Sequence, residues 1–160
     1  MPTLDLLRRQ FDLTWALFEH HLERLTPEDH LWEPASLVWT VRDGVPDWAE
    51  AEPDPVPVPT VAWVSWHIGW WWSVAIDHVT GRPPRERADV VWPGPESVAG
   101  WLRGLRDEWL ELLPVLDPAA PSAFPWPDGT VGDTAAWVNA ELMKNVAEIG
   151  QLRLLRAAGR

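Results

Sequence analysis

Five polar side chains, His67, Glu141, Lys144, Asn145 and Glu148, interrupt helical faces that are otherwise apolar. At about 100° per residue, Trp63, His67, Trp70 and Val74 share one face of a segment whose other faces are apolar too, which places the imidazole in the interior. An interior imidazole is either a core histidine satisfied by its neighbours or a metal ligand or proton carrier. Glu141, Lys144, Asn145 and Glu148 fall within roughly 100° of arc on a later segment, and Trp137, Leu152 and Leu155 extend that face above and below. Carboxylates are rarely buried unless paired or bound to metal. This face is therefore either a solvated stripe of i,i+3 and i,i+4 pairs or the lining of a polar pocket. Trp39, Trp63 and Trp70 join Glu141, Lys144 and Asn145 as candidate pocket residues. The other histidines, His20, His21, His30 and His78, lie at segment ends or in connections and are expected to be solvated.

Four amphipathic segments must position these groups. The first runs from about Leu4 to Leu25, where Leu7, Phe11, Trp15, Phe18, Leu22 and Leu25 recur at spacings of three and four. Thr26 caps a short turn begun by Pro27. A long proline-rich connection follows from Trp32 to Pro59, with Trp32, Trp39 and Trp48 as candidates for holding it down. The second helix starts after Pro59 with Thr60 as its cap and ends near Thr80, before Gly81. A third is predicted over about Pro95 to Leu113, where Pro114 ends or kinks it. The fourth starts with Asp133 or Thr134 as cap and continues to about Ala157. Gly150 inside it implies a close backbone approach, since a mid-helix glycine costs about 1 kcal/mol relative to alanine. No segment sustains period-two alternation, so the expected fold is all-α, a four-helix bundle with long connections in a single domain over residues 1–160. Trp63, Trp70, Trp101, Trp109 and Trp137 are expected to be mostly buried.

Composition narrows the partners. Thirteen basic residues against 24 acidic ones leave a net charge of −11, the wrong sign for nucleic acid or an anionic membrane surface. The absence of cysteine excludes disulfides, thiolate metal sites and a cysteine nucleophile. The first ten residues lack the cationic and apolar regions of a signal peptide, so a cytoplasmic location is expected. The longest apolar stretch, Val61 to Ile76, is too short to span a bilayer. Fourteen tryptophans with no tyrosine demand many indole N–H partners, and most should be core or pocket lining.

With these residues in view, the chain resembles the DinB-like bundle superfamily, which includes the YfiT proteins and the mycothiol-dependent maleylpyruvate isomerases. The resemblance rests on Leu25-Thr26-Pro27-Glu28, Trp32-Glu33-Pro34-Ala35, Trp39-Thr40-Val41-Arg42-Asp43, Thr60-Val61-Ala62-Trp63 before His67-Ile68-Gly69, and Ala147-Glu148-Ile149-Gly150 before Leu152-Arg153. It implies a four-helix bundle, often a homodimer. It also implies one divalent ion, Ni or Zn, held by a histidine of the second helix and two ligands four residues apart on the last. His67 matches the first ligand and Glu148 one of the pair, while Lys144 stands where the other is expected. An ammonium has no lone pair, and neutralising it at pH 7 costs about 4 to 5 kcal/mol, so Ni²⁺ or Zn²⁺ is expected to bind weakly or not at all. Asn145 offers only an amide oxygen as a substitute.

Two functions follow as expectations. One is a metal-dependent thiol S-transferase or related hydrolase, with a low-molecular-weight thiol as cosubstrate acidified by the ion. The other is a metal-free, small-molecule-binding or stress-linked bundle protein without catalytic activity.

Overall fold

The computed structural model of the chain describes residues 2–159. It is mostly helical, with four long helices, α1 (Pro2–Leu22), α3 (Val61–Val79), α4 (Val98–Leu112) and α5 (Val131–Ala158), and one short one, α2 (Pro27–His30). Helix α1 packs on α5, and α3 packs on both α5 and α4. The stripe predicted for α1 is the one it buries: Phe11, Trp15, Phe18 and Leu22 enter the core, with Leu7 and Leu25 at its margin. Helix α3 is apolar all round and buries most of its residues, as a helix enclosed by other elements must. No helix among the described residues is long and apolar enough to cross a membrane.

Strictly all-α is the wrong description, because the connection between α2 and α3 contains four two-residue strands. Strand β1 (Val38–Trp39) pairs in parallel with β4 (Val58–Pro59), in the register Val38 to Val58 and Trp39 to Pro59. Strand β2 (Val41–Arg42) pairs antiparallel with β3 (Val45–Pro46) across Asp43 and Gly44, both at positive φ. Two-residue strands show no period. The Asp-Gly step between Val41-Arg42 and Val45-Pro46 is nevertheless a hairpin signal of the kind that tight turns require. The pairing has a structural consequence: Thr60 N donates to Trp39 O (2.8 Å), so β4 delivers the chain directly to the start of α3. There Thr60 Oγ1 accepts from Trp63 N (3.2 Å), the predicted cap.

The other caps depart from expectation by a few residues. Helix α1 ends at Leu22 rather than near Leu25. Helix α5 is capped by Thr130, whose hydroxyl accepts from Asp133 N (3.2 Å) while Thr130 N donates to Asp133 Oδ2 (2.9 Å). Asp133 is thus the reciprocal partner in a capping box and not the cap itself.

Tryptophan N–H groups fasten the loops to α3. Trp63 Nε1 donates to Asp47 O (2.8 Å) and Trp66 Nε1 to Val90 O (2.7 Å), while Trp92 Nε1 reaches back to Ser65 Oγ (3.0 Å). Each bond satisfies a buried donor and pins an irregular segment, which is how the long connections stay ordered. Trp63 and Trp109 are buried as expected, whereas Trp70, Trp101 and Trp137 are half-buried at the edge of the core. The solvated reading of the histidines fails for two of them. His21 and His30 are buried, His21 because its ring packs over Gly150, where a Cβ would lie 2.5 Å from Nε2. This contact is the close approach that Gly150 implied.

Near the end of α3, Asp77 is 2% exposed and carries a charge that the following loop neutralises. Arg85 donates from Nε to Oδ2 (2.8 Å) and from Nη2 to Oδ1 (2.9 Å), and Arg82 Nε lies 3.4 Å from Oδ1. The hydrogen bonds from Arg85 hold the carboxyl below its ordinary range against the opposing effect of burial. Arg85→Ala is expected to lower stability by about 1.5 kcal/mol, less than the usual loss on breaking a buried pair because Arg82 remains. Urea unfolding of the variant measures this. A loss within error of zero would mean that Arg82 alone suffices.

Candidate functional site

Four residues on α3 at helical spacing, His67, Trp70, Trp71 and Val74, form one wall of a cavity of about 320 Å³. Helix α5 supplies Trp137 and Glu141, one turn apart, and the loops supply Trp48 and Phe124. Trp48 is fixed because Asp47 bonds with Thr40 in both directions, Asp47 N donating to Thr40 O (2.8 Å) and Thr40 N to Asp47 Oδ2 (2.9 Å). Phe124 is fixed by Thr134, whose buried hydroxyl donates to the Phe124 carbonyl (2.5 Å).

The polar end of the cavity is built on one carboxylate. Glu141 Oε1 accepts a long hydrogen bond from His67 Nε2 (3.4 Å) and lies 2.5 Å from Lys144 Nζ, the i,i+3 partner on its own helix. The bond from His67 is the larger cause of a Glu141 pKa below the ordinary value. Burial opposes it and Lys144 reinforces it. The donation from Nε2 leaves His67 Nδ1 buried and without a hydrogen-bond partner among the described residues. Trp63 stacks flat on the imidazole, with centroids 5.0 Å apart and planes at 13°, and Trp39 stacks on Trp63 in turn. Trp63 and Trp39 therefore back the site and do not line it.

Among the described residues, His67 bonds with Glu141 and makes no hydrogen bond with Glu148. Asn145, 1% exposed, accepts from Trp71 Nε1 at Oδ1 (3.0 Å) and donates from Nδ2 to Glu148 Oε2 (2.9 Å). Glu148 and Lys144 line a separate open groove with Val58, Pro59, Leu152 and Leu155. Of the residues singled out from sequence, His67, Trp70 and Glu141 meet in the cavity, and Lys144, which lines the separate groove, touches Glu141. Asn145 anchors the wall through Trp71, and Glu148 lines the separate groove. Trp71, Phe124 and Trp48 as a lining residue escaped sequence reasoning. The signal for Trp71 was present, since it stands four residues after His67 on the same face.

These donors do not suit a divalent ion. Among the described residues no three side chains of the His, Asp and Glu type converge as a metal site would require. The carboxylate that His67 does reach already bears an ammonium at 2.5 Å, a positive charge without a lone pair.

A sequence profile described as the DinB superfamily matches residues 10–149. No curated protein and no solved structure matches the chain. The matched span runs from within α1 to within α5 and takes in the whole of the cavity described above. By that match, which covers far more than half of its length, the chain belongs to the DinB superfamily.

Proposed function

We propose that this protein binds a small organic molecule in the tryptophan-lined cavity without a metal ion. The observation that carries the reading is the pairing of Glu141 with Lys144 and His67 at the end of a half-open apolar cavity. A charged lysine stands at the carboxylate that His67 reaches, and the rest of the lining is aromatic and aliphatic. Such a site offers large apolar surface for affinity and one oriented polar cluster for specificity, the usual division of labour in small-ligand pockets. The metal-dependent thiol S-transferase is the competing reading, and it requires an ion that these donors accommodate poorly.

Calorimetric titration with 1-naphthol, a neutral aromatic probe, tests the proposal. One site per chain is expected, and Trp70→Ala should weaken it about tenfold by removing one wall. Titration with Zn²⁺ and Ni²⁺ forms the second arm. A tight stoichiometric site that disappears in His67→Ala would overturn the metal-free reading in favour of the transferase.

A further inference from the structure

Five aromatic side chains, Trp48, Trp70, Trp71, Phe124 and Trp137, line the cavity. Behind the site, Trp39, Trp63 and His67 stack with planes at 28° and 13°. Around the cavity, successive rings stand at right angles: Trp48 to Trp70 at 83°, Trp71 to Trp137 at 86° and Phe124 to Trp137 at 86°, with centroids 4.8 to 5.4 Å apart. Rings that meet at right angles build corners, so the lining encloses one space on several sides. A ring face presents the negative lobe of the aromatic quadrupole, which attracts a cation and offers no such attraction to a neutral alkyl group of the same shape.

We propose that the cavity is a cage for an organic cation, a methylated ammonium head group, with the aromatic rings as its walls and the Glu141 carboxylate as its counter-charge. The proposal rests on the reading that the cavity binds a small molecule, and it specifies the charge of that molecule. Three further observations support it. First, Glu141 is the carboxylate that lines this cavity, and its side chain is only 17% exposed. An anionic ligand such as a thiolate would meet that carboxylate as a like charge. Second, Trp48 already carries a cation, with the Arg87 guanidinium 4.5 Å from its ring centroid. Third, the chain's net charge of −11 draws cations toward it at long range.

Lys144 fits this picture as a displaceable partner of Glu141. Its side chain is 54% exposed, so its pair with Glu141 is a weak one despite the short distance. Glu148, on the next turn of α5 and lining the same outer groove, offers the ammonium an alternative carboxylate. A caged cation would take over Glu141 while Lys144 turned to Glu148, and His67 would keep the carboxylate oriented by its bond from Nε2.

Calorimetry on the full chain with choline and with 3,3-dimethylbutan-1-ol, which replaces the quaternary nitrogen by carbon, separates charge from shape. Choline is expected to bind at least tenfold more tightly. In Glu141→Gln that preference should fall to threefold or less, with the fold checked by near-ultraviolet circular dichroism. In Lys144→Met, a change at an exposed side chain, choline should bind several-fold more tightly and the alcohol unchanged. Equal or tighter binding of the alcohol, absence of choline binding, or a preference that survives Glu141→Gln would each overturn the cation cage. If choline fails while 1-naphthol binds, the cage falls and the small-molecule reading stands. If none of the three probes binds, both fall.

Discussion

Lowering the pH from 7 to 4 is expected to remove about 3 kcal/mol of stability through His30 alone. This residue ends α2, is 4% exposed and packs against Trp92 with ring centroids 6.0 Å apart. Burial pushes its pKa down from 6.5 to about 4, and the neighbouring Asp29, which acts in the opposite sense, does not compensate. The carboxylate of Asp29 is engaged by Arg156 Nε (3.1 Å) and by Thr26 N (2.8 Å), which spreads its charge away from the ring. Because the folded pKa lies below the unfolded one, the stabilisation is complete above pH 6.5. It is lost as the pH falls toward 4, where the unfolded chain takes up a proton that the folded chain refuses. The shift from 6.5 to about 4 corresponds to about 3 kcal/mol at 1.36 kcal/mol per pH unit. His21, also lowered by burial and by Arg153, adds to the slope with the same sign. Asp77 and Glu141 have lowered carboxyl pKa values and contribute only at more acidic pH. Urea unfolding at pH 7, 6, 5 and 4 should show the decline, and His30→Phe should flatten it. A His30 titration midpoint near 6.5 by NMR would refute this account.

The other large effect is steric. A Cβ on Gly69 would stand 1.8 Å from Trp101 Cη2, with Cζ3 and Cζ2 of the same ring at 2.3 and 2.4 Å. Helix α4 therefore lays an indole directly on the backbone of α3, two residues beyond His67. Gly69→Ala gains about 1 kcal/mol in helix propensity but must displace the ring, and overpacking of this kind costs about 1 to 3 kcal/mol or more. The net loss is expected to be about 2 kcal/mol. Gly104 is the matched control, in the same class of helix-interior position but with nothing within 4 Å of an added Cβ. Gly104→Ala should be neutral or stabilising by up to about 1 kcal/mol. Chemical denaturation of both variants decides it, and equal shifts for the two would show that the indole yields without cost.

Two features of the site separate what is local from what is not. Lys144 turns to Glu141 at i,i+3, and the two stand on one turn of α5 wherever that helix packs. By contrast, His67 meets Glu141 and not Glu148, although both carboxylates lie on the same face of α5. They are seven residues apart, roughly 10 Å along the axis. Which of them stands opposite His67 depends on how far α3 is shifted along α5, a quantity that no pattern within either helix encodes. The residues in question are 74 positions apart in the chain. Phe124 illustrates the same point from a loop, since nothing around it in sequence indicates that a hydroxyl on α5 will hold its carbonyl at the cavity.

Burial of His21 and His30 eluded sequence reasoning for a related reason. A histidine at a helix end has no periodic neighbours to place it, and its exposure depends on what the rest of the chain lays over it, here Gly150 and Trp92. The sequence by itself determined the mostly helical architecture, the faces that the helices bury, the Thr60 cap, the close approach at Gly150 and the DinB-like family. The first four follow from interactions within a few residues along the chain and from the period of the helix, and the family from the resemblance of its short motifs. Only the tertiary structure decided the short strand pairs that deliver Trp39 and Trp48, the offset that gives Glu141 to His67, and the right-angled rings that shape the cavity. Each arises where side chains distant in sequence compete for the same space, and close packing resolves that competition only when all of them are present.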